Sequence, residues 1–197
     1  MVAGKVIGEN MRPDTMKLSN SFKQTTPYCG LPILVAALFL VRFRQIEPII
    51  LLWSMMIIVF GYITSVLDIK TKKIPNKLVL AMLLAWAITI VPVLYLETST
   101  AVLLIKDSAL GFALGGGLFL LVYVISRKGL GGGDVKFMAA AGLYLGLHGV
   151  VPTIFCGSIL AAVVGCILLL SKKITRKDTM PLAPFLYAGM LINIFFV

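Results

Sequence analysis

Histidine, acidic residues and paired cysteines are scarce in this chain, and each scarcity removes a chemistry. His148 is the only histidine, so a His-Glu-x-x-His metalloprotease cannot be built. Cys29, Cys156 and Cys166 form no Cys-x-x-Cys pair, which excludes a zinc knuckle and a thioredoxin-type dithiol. The segment CGSI at Cys156 to Ile159 does not supply a Gly-x-Ser-Gly serine site. Ser126 with Lys128, or Ser171 with Lys172, lies too close to water for a lysine to lose its charge and serve as a base. No metal or cofactor is expected from these residues. Charged residues make up only 13% of the chain against 59% apolar, too little polar surface for one aqueous core. No basic stretch is interleaved with exposed aromatics, so no nucleic-acid partner is expected.

What is present is a series of long apolar runs, and they define an all-α, polytopic membrane helix bundle of about six to seven transmembrane helices. Strand alternation is absent, which excludes a barrel. The spacing predicts spans at 28–43, 48–67, 78–96, 107–126, 135–151, 152–171 and 181–197. The fifth is interrupted by Gly142, Gly146 and Gly149. Residues 1–27 fit neither a signal peptide nor a span and read as a short cytoplasmic tail ahead of a membrane-embedded domain at 28–197.

Charge orients these spans, because lysine and arginine in short loops mark the cytoplasmic side. Lys5, Arg12, Lys17 and Lys23, then Lys70, Lys72, Lys73 and Lys77, then Arg127, Lys128 and Lys136, then Lys172, Lys173, Arg176 and Lys177 fall on one side of alternating spans. Only Arg42, Arg44 and Lys106 fall on the other, beside Glu47, Glu97 and Asp107. The net charge of +10 is thus a topology signal and an attraction to anionic lipid. The expected location is the cytoplasmic membrane, multi-pass, with the N-terminus cytoplasmic. His148 is expected in an outer turn.

Eight acidic residues remain as candidates for chemistry. Glu9 and Asp14 lie in the tail, Glu47, Glu97 and Asp107 on the outer face, and Asp178 in a basic loop. Asp68 and Asp134 lie at cytoplasmic ends of spans, so they share one depth although 66 positions separate them. Two carboxylates at a partly desolvated site share a proton and can divide the work of base and acid toward a water. Each also has a plain structural alternative. Asp134 could cap the helix beginning VKFMAAAG, and Asp68 could be an interfacial charge facing Lys70 or Lys72.

Asp68 opens DIKTKKIPNKL, in which Ile74, Pro75 and Asn76 end one helix and start the next, and Asp134 closes the run GLGGGD from Gly129 through Gly131, Gly132 and Gly133. With MPLAPFLYAG at Met180 to Gly189, these segments make residues 28–197 similar to the type IV prepilin peptidases, including archaeal preflagellin peptidases, membrane aspartic proteases of the Gly-x-Gly-Asp type. The resemblance implies a catalytic pair of Asp68, six residues before Ile74, and Asp134. It implies as substrates the precursors of pilins, pseudopilins or archaellin-like proteins, cut at the cytoplasmic face behind a basic leader, with pilus or secretion assembly proteins as further partners. Lys70, Lys72, Lys73 and Lys136 are candidate substrate contacts, because such substrates often carry a glutamate shortly after the cut; their plain alternative is topology. Longer bacterial members add a Cys-x-x-Cys region and methylate the new N-terminus; residues 1–27 carry neither, so peptidase activity alone is expected.

Glycines at 131–133 would let a substrate strand lie close to the backbone. If Asp68 ends one helix and Asp134 starts another, the helix dipoles favour Asp134 as the ionised base and Asp68 as the acid. Two other classes fit part of the pattern. One is a presenilin or signal-peptide-peptidase type of protease, of whose Pro-Ala-Leu element PLAP is a partial echo. The other is a non-enzymatic membrane subunit of a secretion or pilus system, in which the aspartates pair with lysines.

Overall fold

The structure, a computed structural model, describes residues 35–38, 47–126, 130–172 and 180–196. The expected tail and most of the expected first span lie outside the described residues; 35–38 within that span are helical. Five helices follow: α1 (Pro48–Thr71), α2 (Asn76–Leu96), α3 (Thr98–Ile125), α4 (Gly132–Leu170) and α5 (Ala183–Phe196). No strand occurs among the described residues. In lipid a helix satisfies its own backbone groups, which is why these apolar runs take no other form. The first four helices are each long and apolar enough to cross a bilayer. The protein is therefore a polytopic all-α membrane bundle, as its composition requires.

The connections are short because each helix end is used. Pro48 starts α1 where a missing N–H costs nothing. At the other end Lys72 takes a left-handed conformation (φ 51°) and donates its backbone N–H to the Asp68 carbonyl at 2.8 Å. Glu97 alone separates α2 from α3; its N–H bonds the Val93 carbonyl at 2.8 Å and its carbonyl accepts from Ala101 N–H at 2.9 Å.

α4 is two helices in one run. Gly146 has φ 64° and ψ −177°, non-helical values inside the run. A Cβ on Gly115 of α3 would lie 2.7 Å from the Met138 carbonyl oxygen and 3.6 Å from Val150 Cγ1. Twelve residues of straight helix would hold those two atoms about 18 Å apart. The chain therefore reverses at Gly146, and its second half returns beside α5, with Gly149 against Asn193 and Gly157 against Leu186. The break expected at 151–152 thus lies earlier, and Pro152 is carried inside a helix. His148 is exposed two residues past the reversal.

Asp107, expected to be an exposed outer-face charge, makes that reversal possible. Its Oδ1 accepts the Leu147 N–H at 3.1 Å, so it caps the returning half-helix from α3. Its other oxygen fills the space a side chain at 146 would need, and the positive φ favours glycine there as well. Ser108 beside it donates to the Leu143 carbonyl at 2.7 Å. One and two turns further along α3, Gly111 and Gly115 meet the backbone of the outgoing half of α4, Gly111 against Gly142, so closely that any Cβ would collide with a carbonyl. Small residues drive such contacts in lipid, where no hydrophobic force pulls helices together.

At mid-depth an aromatic group ties α1, α2 and α4. Tyr144 donates to the Met82 carbonyl at 2.6 Å, and Trp53 Nε1 donates to Thr89 Oγ1 at 2.9 Å. The Trp53 ring lies 6.1 Å from Trp86 and 6.4 Å, edge-on, from Tyr144. The outward face of α2, with Leu80, Leu84, Ile88 and Val91, is exposed among the described residues and suits lipid.

Because Asp107 caps a helix start, Asp107→Ala is expected to destabilise the protein by about 0.5–2 kcal/mol. Asp107→Asn, which keeps the acceptor oxygen, should lose less. Unfolding followed by circular dichroism in detergent checks the order, and equal losses would remove the capping role.

Candidate active site

The site forms at the end of the bundle where Lys70, Lys72, Lys73, Lys77, Lys136 and Lys172 cluster in sequence around helix ends. Asp68 occupies the last turn of α1 and is only 6% exposed. Lys72 follows in its left-handed turn, a conformation that costs a non-glycine residue about 1 kcal/mol or more and is held by the local fold. Ile74 and Pro75 then cross to Asn76, the first residue of α2, with Pro75 extended at φ −70° and ψ 135°.

The glycine run meets this crossing directly. Gly131 is the N-cap of α4, and the helix begins at Gly132, so Asp134 is the third helical residue rather than its cap. Its carboxylate nonetheless reaches back to the Gly131 N–H, so a plain role at the helix start stands beside the catalytic one. Its N–H bonds back to the Gly131 carbonyl at 3.1 Å, while its Oδ1 is buried with no hydrogen-bond partner among the described residues. A Cβ on Gly131 would lie 2.7 Å from Asp134 Oδ2, and one on Gly133 would lie 3.0 Å from Ile74 Cβ. Gly132 has only Tyr123 Cε2, at 4.0 Å, near the same point. Two of the three glycines are therefore demanded by close contact, one with the aspartate and one with the opposite loop. Gly131 is extended (φ −71°, ψ 133°), and Gly132 and Gly133 open the helix.

A second link joins the two loops. Lys136 Nζ donates to Asn76 Oδ1 at 3.0 Å. A third helix also reaches the site: Ala183, the first residue of α5, donates its N–H to Asp68 Oδ2 at 3.1 Å.

Asp68 and Asp134 line one cavity of about 360 Å³, together with Lys72, Lys73, Ile74 and Gly131, Gly132 and Gly133. Lys70 and Pro75 are exposed outside that lining. Asn76 and Lys136 line a neighbouring groove with Lys77, Val79, Leu80 and Leu83. Gly129 lies outside the described residues. Of the candidate lysines, Lys72 and Lys73 sit at the cavity, whereas Ala183, which sequence reasoning missed, acts through its backbone, so only its place in PLAP marks it. An aspartate pair in one partly enclosed cavity can activate a water without a metal.

A membrane helix bundle with two aspartates from separate helix ends facing one cavity defines the class. The chain belongs to the type IV leader peptidase family, whose profile matches residues 55–166. It is 31% identical over 130 residues to a prepilin leader peptidase/N-methyltransferase of Xanthomonas campestris, covering 65% of this chain and 44% of that protein. A Bacillus subtilis protein of the same name is 32% identical over 151 residues, 75% of this chain and 55% of its own length. One from Burkholderia pseudomallei is 28% identical over 132 residues, 67% of this chain and 42% of the relative. The chain thus spans about half the length of the curated relatives it matches. No solved structure matches it significantly.

The glycine contacts predict opposite signs for neighbouring substitutions. Gly132→Ala should be neutral or stabilising by up to about 1 kcal/mol, since the space is open and alanine favours helix. Gly133→Ala should destabilise by about 1–3 kcal/mol through overpacking on Ile74. Thermal unfolding in detergent reads both, and a shared sign would contradict the packing.

Proposed function

We propose that this protein is an aspartic endopeptidase that removes the basic leader from prepilin-like precursors at the cytoplasmic face of the membrane. Membership of the leader peptidase family and the names of the relatives support the reaction class. The observation that carries the assignment to residues is the single cavity shared by Asp68 and Asp134, with one oxygen of Asp134 buried and unpartnered. A buried polar atom with no partner costs about 1–3 kcal/mol and is retained where it serves a reaction.

Cleavage uses one proton shared by the pair. The Ala183 N–H at Asp68 Oδ2 supports Asp68 as the carboxylate, and the lack of a donor at Asp134 Oδ1 among the described residues, with Gly131 N–H alone at that carboxyl group, supports Asp134 as the acid. This reverses the order given by the dipoles of α1 and α4 alone, because the start of α5 adds a third helix end at Asp68. Asp68 takes a proton from water as its oxygen bonds the scissile carbonyl carbon, and Asp134 protonates the carbonyl oxygen. The C–N bond then breaks, Asp68 returns its proton to the leaving nitrogen, and a hydroxyl of the diol reprotonates Asp134. Gly131 and Gly133 hold the geometry, and Ile74, Pro75, Asn76 and Lys136 shape the adjoining wall. Lys70, Lys72, Lys73 and Lys136 remain the candidate contacts to an acidic residue of the substrate, Lys72 and Lys73 lining the cavity itself. The family match favours this reading over the presenilin type.

Asp68→Asn and Asp134→Asn should each lower precursor cleavage by about 10²–10⁴-fold while the protein still inserts in the membrane. Asp178→Asn, at a position outside the described residues, should cleave normally. Cleavage is read as a size shift of a co-expressed prepilin-type precursor, and normal processing by both dyad variants would favour the non-enzymatic membrane subunit.

The lysine-rich end defines the cytoplasmic side in this proposal. A cysteine placed at Glu97, in a variant lacking the native cysteines, should react with an impermeant maleimide added outside intact cells, and one at Lys72 should not. The reverse pattern would invert the topology.

A further inference from the structure

The first turn of α5 has an unusual account of backbone donors. The first four N–H groups of a helix have no partner within it. In α5 those positions are Ala183, Pro184, Phe185 and Leu186. Pro184 has no N–H. Phe185 and Leu186 both donate to the Leu182 carbonyl, at 3.0 and 3.2 Å. One donor, that of Ala183, is left to leave the helix, and it goes to Asp68 Oδ2.

The same turn is clamped in place. Ala183 is fully buried. On one side Gly157 of α4 presses on Leu186, where a Cβ would meet the Leu186 Cα at 3.1 Å, and one turn on Gly189 abuts the Thr153 carbonyl at 2.5 Å on the same measure. On the other side Gly61 of α1 accepts the Tyr187 ring, 2.7 Å from the position of its absent Cβ. The donor is thus held between α4 and the helix that carries Asp68. A clamped donor with a single acceptor fixes the rotation of that acceptor's carboxyl group.

We propose that the Pro181–Leu182–Ala183–Pro184 start of α5 is a positioning element for the aspartate pair, in which the Ala183 N–H holds Asp68 Oδ2 and leaves Asp68 Oδ1 to face the water. This rests on the reading of Asp68 and Asp134 as the hydrolytic pair. Pro184 contributes by having no donor of its own, so Asp68 meets one bond in one direction. The role lies in orientation for the chemical step, since Ala183 is absent from the cavity lining.

Because the group is a backbone N–H, the test removes it without changing the side chain. The full chain is made by cell-free translation into lipid nanodiscs with L-lactate in place of Ala183, which exchanges the N–H for an ester oxygen. A matching protein carries L-phenyllactate in place of Phe185, which removes a donor inside the turn and weakens the neighbouring carbonyl in the same way. The substrate is a prepilin-type precursor in detergent. The lactate protein should lose at least tenfold in kcat with KM within twofold, and the phenyllactate protein should stay within threefold in kcat. Ala183→Pro, which also lacks the N–H and suits a first helical position, should repeat the loss, and Ala183→Gly should not.

Equal losses in the two esters, or a change carried by KM, would mean that α5 only stabilises the fold. Unchanged kcat in the lactate protein would overturn the positioning role while leaving the catalytic pair in place, provided Asp68→Asn in the same discs is inactive. An active Asp68→Asn would instead remove the underlying reading. If the lactate protein does not assemble, the Pro and Gly variants of Ala183 decide, and equal kcat in that pair would overturn the proposal.

Discussion

The backbone contact between α3 and the outgoing half of α4 is the constraint on which the rest of the structure hangs. Gly111 and Gly142 approach so closely that neither position has room for one carbon more. That contact sets the height of the outgoing half-helix, and with it the depth of Asp134 near its start. It also delivers Gly146 to Asp107, which caps the returning half and allows the reversal. The returning half in turn clamps α5, whose first N–H reaches Asp68. A chain of close small-residue contacts thus runs from the far end of the bundle to both aspartates.

The cavity owes its character to helix ends as much as to side chains. α2, α4 and α5 all begin there, at Asn76, Gly132 and Ala183, while α1 ends there. Three positive ends and one negative end surround two carboxylates, with Lys72 and Lys73 on the lining. Such a setting tolerates anionic charge at a depth where lipid alone would not. It also explains how an apolar protein with few charges can keep two acids together.

Much of this was legible in the sequence because membranes simplify the code. The apolar runs defined the helices, and α1 and α5 start within two residues of where hydropathy places them. Asp68 and Asp134 emerged as a pair from the few acids and from their shared depth. Other features were hidden for specific reasons. Gly142, Gly146 and Gly149 look equivalent in sequence, and only Asp107, from another helix, selects Gly146 as the turn. Pro152, at the boundary expected between two spans, lies inside the returning half-helix, because lipid-embedded helices accommodate proline. The donor that reaches Asp68 Oδ2 is a backbone N–H of α5, and a backbone group carries no mark in the residue letters.

The outgoing half of α4, residues 132–145, rises only about 21 Å. The hydrocarbon core of a bilayer is about 30 Å thick. A span too short for its membrane is met by local thinning of the lipid. Here Phe137 to Gly142 are buried, so protein rather than lipid surrounds this half-helix, and one of its two ends lies inside the thickness of the bilayer. In the proposed hydrolysis the second reactant is water, and a recessed helix end is where the bundle has the least apolar length for it to pass.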